Sequence, residues 1–211
     1  MWAIAAIDDA EVPVLKAGLE AAMAEYFGTE AFARYVELMA WWGGGGDSEE
    51  FFFEPVPGWP WLQPTAAAER FASLVDLANP NSDAYDDLAC RCMRLMPDGG
   101  EGAFAATARK ASPAAALHYG LGAAGSALLP GRFGEFLLSH AEVLSVVAGF
   151  EQALALTGQH RSRVIERARR WLAEFGDVPD ADVDELLDGP LRVVRLAAKS
   201  GQGVVGVVAW Y

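Results

Sequence analysis

Apolar residues along this chain recur mostly at spacings of three and four and are interrupted by capping residues, glycines and prolines, a periodicity that predicts a body built of helices. The two ends break the pattern. Residues 1–7, MWAIAAI, form a continuous apolar run that stops at Asp8 and Asp9, and the closing GVVGVVAW is too short for another helix and too β-branched for a loop. Strands are therefore expected near 2–7 and 203–209. Neither is stable alone, so both should lie in one small sheet that pins the ends of the chain together.

Between them the helical segments are individually signalled. One runs from about Ala10 to Phe27, with Val14, Leu15, Leu19, Ala22, Met23 and Tyr26 on one side and Gly28 closing it. Thr29 caps a second, with Phe32, Tyr35, Val36 and Met39 as its stripe and Trp41 and Trp42 at its end. Thr65 opens a third, with Phe71, Leu74, Val75 and Ala78 buried. Ser82 opens a fourth, carrying Tyr85, Leu88, Ala89, Cys92, Met93 and Met96, which PDGGEG stops. Ser112 caps the next, with Pro113 at its first position. Ser139 and Glu142 form a capping box ahead of Val143, Val146, Val147, Phe150 and Leu154. A further helix uses Val164, Ile165, Ala168, Trp171, Leu172 and Phe175 and ends at Gly176; after an acidic turn, Pro190 begins the last, through Leu191, Val194 and Ala198. The expected class is α+β: a helix-rich single domain over residues 1–211, with a small sheet joining its terminal strands.

From Gly43 to Pro64 the periodicity collapses into GGGGDSEEFFFEPVPGWPWLQP, whose glycines and prolines forbid a long helix or a central strand. An irregular loop of about twenty residues is expected, and loops of that length in compact domains are usually functional or disordered. Its aromatic content is too high for a solvated linker. It either packs on the core as a lid or offers an aromatic contact surface.

Composition narrows the partners. The 211 residues are 53% hydrophobic, ample for one core, and show no repeat and no domain boundary. A net charge of −13 repels phosphate backbones and anionic membrane surfaces, which excludes nucleic acid as an expected partner. The local exception, RSRVIERARR at 161–170, is either the solvated face of a helix or a docking face for an acidic partner. No apolar run approaches the roughly 20 residues that span a bilayer, and the opening MWAIAAIDDAE lacks a positive n-region and a cleavage site, so a cytoplasmic location without membrane contact is expected. Cys90 and Cys92 agree with this: on a helix they point about 200° apart and close neither an ordinary disulfide nor a zinc site.

Three passages resemble the YfbM-like family, a group of bacterial proteins without an assigned activity. Ala116-Leu117-His118-Tyr119-Gly120-Leu121 is similar to its helix ending in a Leu-His-aromatic step. Phe136-Leu137 through Glu142-Val143 resembles its sheet edge followed by a capped helix, and Pro190 to Trp210 its closing helix, small-residue turn and apolar strand. The resemblance covers roughly residues 112–210; the loop at 43–64 departs from it. It implies a compact α+β fold inside the cell and no catalytic residue.

Catalytic signatures are sparse. His118, between Leu117 and Tyr119 on an apolar helix, titrates in the range of general acid–base work, although a lone histidine in that setting is commonly a hydrogen-bonded core residue. His140 and His160 read as surface. No histidine–carboxylate spacing points to a metal, no nucleophile motif is present, and GLGAAG at 120–125 follows a helix instead of the strand a dinucleotide site requires, so no cofactor is expected. Asp47, Glu49, Glu50 and Glu54 flank the loop aromatics Phe53, Trp59 and Trp61, where carboxylates beside aromatic faces suit a cationic ligand; solubilising charge on an exposed loop is the plainer account. The leading expectation is a binding or interaction domain, such as one of immunity type, whose acidic surface meets a basic protein partner or a cationic small molecule. The alternative is a cofactor-independent small-molecule enzyme, lyase- or transferase-like, with the 43–64 loop as lid and His118 as acid–base group.

Overall fold

The structure, a computed structural model, describes residues 1–48, 53–55, 57–58, 62–80, 82–97, 99–174 and 182–209; for Phe53, Glu54 and Leu62 only the backbone is described. Strand β1 (Trp2–Ile7) lies inside a four-stranded antiparallel sheet. It pairs with β6 (Gly203–Val208) from Trp2↔Val208 to Ile7↔Gly203, so the two ends of the chain share one sheet. β4 (Ala103–Ala106) lies on its other side and β5 (Phe136–Leu138) pairs with the outer edge of β6, giving the order β4-β1-β6-β5. Both faces of this sheet are covered. Trp2, Ile4, Ala6, Phe104, Phe136, Leu138 and Val204 belong to one core, and Ala5, Ile7, Leu137, Val205 and Val207 to another. Strands buried on both sides need no polar face, so the terminal segments appear as unbroken apolar runs.

The second core is closed by α1 (Val12–Tyr26) and α4 (Asp83–Arg94), through Leu15, Leu19, Leu88, Ala89, Cys92 and Met93. The first is larger and packs α2 (Glu30–Gly43), α3 (Ala66–Asp76), α5 (Pro113–Ser126), α6 (His140–Leu154), α7 (Gly158–Glu174) and α8 (Glu185–Ser200). Phe71 is its hub, with the rings of Trp42, Trp171, Phe133 and Tyr119 centred 4.7, 5.0, 5.8 and 5.9 Å away. The helix starts follow the predicted caps. The side chains of Thr29, Thr65, Ser82, Ser112 and Ser139 each accept the amide three residues on, and Glu142 completes the capping box at Ser139.

Several details differ from the sequence expectations: Val14 of α1 is exposed, and β4 was not anticipated. Helix α2 buries Tyr35, Leu38 and Trp42, while Val36 and Met39 are exposed, because it is Trp42 and its line of neighbours that reach Phe71. Helix α8 begins at Glu185 and contains Pro190: Val183, Leu186 and Leu187 are buried, so burial extends the helix upstream of the proline. Gly189 leaves room there for the Phe104 ring, which a Cβ would overlap. The 43–64 segment is not wholly irregular, since β2 (Phe53–Pro55) and β3 (Leu62–Pro64) pair as a short antiparallel ladder, in which Pro55 and Pro64 occupy strand ends. Helix α5 is broken at Gly122, whose φ of 72° leaves the α region. Phe175 and Gly176, read as the end of α7, lie outside the described residues.

Candidate functional site

A tight turn builds the site. Arg132 and Glu135 exchange both backbone hydrogen bonds at 3.0 Å across Phe133 and Gly134, whose φ values of 44° and 93° define a two-residue turn of the primed type. Phe133 adopts a left-handed conformation unfavourable to a phenylalanine, and packing holds it there: its ring lies 5.8 Å from Phe71 and 5.0 Å from His118. A Cβ on Gly134 would lie 2.6 Å from both Ala114 Cβ and Trp2 Nε1, and the Trp2 indole N–H donates to the Gly134 carbonyl at 3.0 Å. The turn is thereby fixed against β1 and α5, and the chain that leaves it carries Glu135 and Leu137 beneath α4.

Glu135 is buried, with 8% of its surface exposed. Its Oε1 accepts the Val208 amide at 3.3 Å, while Oε2 is enclosed and has no hydrogen-bond partner. Burial pushes the carboxyl up to about 8, with the Val208 amide pulling weakly the other way, so the group is largely protonated at neutral pH. Such a residue forms part of the wall of a cleft of about 720 Å³ between the end of α3, the start of α4 and the end of β6. Val75, Asp76, Asn79, Tyr85, Asp86, Ala89, Met93 and Val208 also line it. Asp76 has its carboxyl raised by burial. The Tyr85 hydroxyl donates to Asn79 Oδ1 at 3.0 Å. Among the described residues, every charged side chain lining this cleft is acidic.

Beneath it, a pocket of about 50 Å³ shares Tyr85, Ala89 and Glu135 and reaches Leu88, Cys92 and Arg132. Arg132 Nη2 contacts Met23 Sδ at 2.9 Å, and burial lowers the guanidinium's pKa against the opposing influence of Tyr35 and Tyr26. Burial pushes the Cys92 thiol up to about 11, which leaves it an inert core thiol. Among the described residues, no three His, Cys, Asp or Glu side chains converge as a metal site would require.

The residues singled out from the sequence fall elsewhere. His118, on α5, is buried against the Phe133 ring, its Nε2 has no hydrogen-bond partner, and burial lowers its pKa to about 4. It lines neither the cleft nor the pocket beneath it. Asp47 is bound to the fold: its carboxylate accepts the Ala123 amide at 2.9 Å, capping the second half of α5 after the break at Gly122, and its carbonyl accepts from Arg167 at 3.4 Å. Trp59 and Trp61 lie outside the described residues; Phe53 and Glu54 lie on β2, their side chains outside the description. Part of the arginine run is structural. Arg161 pairs with Asp184 and Asp188 at 2.9 and 2.8 Å, and Arg167 lies over the Tyr119 ring at 4.7 Å.

The sequence reading missed Glu135. One signal was present: in Glu135-Phe136-Leu137 the carboxyl directly precedes an apolar strand and, at a spacing of two, stands on the same side as Leu137. No family model matches the chain, and no curated protein or solved structure matches it significantly. No helix among the described residues is long and apolar enough to cross a membrane.

Proposed function

We propose that this chain works by binding, as a cytoplasmic interaction domain, in the manner of an immunity protein, whose acidic cleft receives a basic group from a protein partner. The observation that carries this reading is Glu135, a buried carboxyl in the wall of an acid-lined cleft, one of whose oxygens has no hydrogen-bond partner. Burying a polar group without a partner costs about 1–3 kcal/mol, and a group in the wall of a cleft recovers that cost when a ligand supplies the partner. A cation entering the cleft supplies the missing partner. The overall charge of −13 supports the same partner, since it draws a basic surface in and repels an acidic one. Catalysis through His118 has less support, because that imidazole meets neither cleft nor pocket. The YfbM-like resemblance adds a compact intracellular domain and no chemistry.

Titration calorimetry with two short peptides of alternating glycine and basic residues, one with lysine and one with arginine, tests the reading. At least one should bind, more weakly as salt rises, and Asp76→Asn with Asp86→Asn should reduce the affinity at least tenfold. Failure of both peptides to bind, or binding indifferent to the double substitution, overturns it.

A further inference from the structure

Resting on that reading of the cleft, we propose that the group it selects is a primary ammonium, presented as a lysine side chain by the partner, in preference to a guanidinium. Glu135 Oε1 is committed to the Val208 amide, and only Oε2 is unengaged. A guanidinium owes its strength to a planar fork that grips both oxygens of one carboxylate; an ammonium is a compact point charge with three donors that spread to separate acceptors. Glu135 denies the fork and offers a single point.

The remaining acceptors are distributed in the way an ammonium uses. Asp76 comes from α3, and Asp86 and the Tyr85 hydroxyl come from α4, so with Glu135 on the 132–135 turn the acceptors stand on three separate elements. Tyr85 gives its proton to Asn79, which leaves its oxygen lone pairs free to accept. Val75, Ala89 and Met93 line the same space and suit the four-carbon stem of a lysine, whose methylenes pack along apolar surface while the charge is held beyond them. A volume of about 720 Å³ admits that side chain together with the backbone that carries it.

The binding step balances as an ion-pair exchange. The Glu135 carboxyl gives up its proton to solvent, its carboxylate pairs with the arriving ammonium, and one proton is released per complex. Among the described residues, the titratable or charged groups that line these two spaces together with Glu135 are Asp76 on α3, Tyr85, Asp86, Cys90 and Cys92 on α4, and Arg132 on its own turn.

Three peptides of equal length carrying one central lysine, arginine or acetyl-lysine, together with n-butylammonium, make the test. The lysine peptide should bind at least tenfold more tightly than the arginine peptide, and acetylation should abolish binding. Calorimetry in buffers of different ionisation enthalpy should report release of about one proton. Glu135→Gln, which keeps an oxygen for the Val208 amide, should weaken lysine binding at least tenfold and erase the preference. Arginine binding equal to or tighter than lysine, or a preference that survives Glu135→Gln, overturns the assignment. Equal, Asp76- and Asp86-dependent binding of both peptides would do so while leaving the binding function standing; binding of neither would remove that function as well. Butylammonium binding as tightly as the peptide would assign the site to a free amine and overturn the partner-borne lysine.

Discussion

Glu135→Gln should make the protein more stable, and by an amount that depends on pH. In the folded chain the carboxyl titrates at about 8 against a normal value of 4.5. Between those values the unfolded chain has lost the proton and the folded chain keeps it, so stability falls as pH rises, by about 1.4 kcal/mol per pH unit, and levels off above the folded value. Across three and a half pH units this amounts to about 5 kcal/mol, a large share of the 5–15 kcal/mol that holds a domain together. Glutamine fills the same space, still accepts the Val208 amide and never ionises. Denaturant unfolding of both proteins at half-unit intervals from pH 4.5 to 9, followed by tryptophan fluorescence, isolates the effect as a difference. The substituted protein should gain on the wild type throughout the interval and hold its advantage above pH 8. Parallel stability curves would mean that the carboxyl ionises as freely in the folded chain as in the unfolded one, and that burial does not hold it protonated.

Three further outcomes follow from other parts of the fold. His118 acts in the opposite sense: neutral when folded down to about pH 4, it lowers stability as pH falls from 6.5 towards 4, by at most about 3 kcal/mol, and His118→Gln should flatten that acid limb in the same unfolding assay. Asp47→Ala removes the cap on the second half of α5 and should cost about 0.5–2 kcal/mol, read as a lower denaturation midpoint with an unchanged slope. Gly189→Ala forces a methyl into the Phe104 ring and should destabilise by about 1–3 kcal/mol or more, whereas the same change at Gly28, where a Cβ meets nothing within 4 Å, should be nearly silent by thermal melting.

Local chemistry was the most legible layer of this sequence. Thr29, Thr65, Ser82, Ser112 and Ser139 cap helices in the structure because a hydroxyl satisfies a free amide whatever surrounds it. The terminal strands were equally plain, as apolar β-branched runs have few alternatives. Choices that depend on distant packing were hidden. Phe32, Tyr35, Val36 and Met39 satisfy helical spacing as well as Tyr35, Leu38 and Trp42 do, and only the position of Phe71 decides which stripe is buried. Pro190 is a good first residue for a helix in isolation, yet the burial of Leu186 and Leu187 carries α8 upstream of it. The cleft was invisible for a related reason. Its walls come from α3, α4, the 132–135 turn and β6, and no stretch of sequence holds them together.

Glu135 carries the whole account, and its carboxyl carbon can be followed directly. In protein labelled with ¹³C at glutamate carboxyls, the Glu135 resonance, assigned by its loss in Glu135→Gln, should titrate with a midpoint near 8 in the free protein. At pH 7, saturation with the lysine peptide should move it to the ionised position. A midpoint near 4.5, or a resonance that the peptide leaves unmoved, would contradict the claim that this carboxyl is held uncharged until a cation arrives.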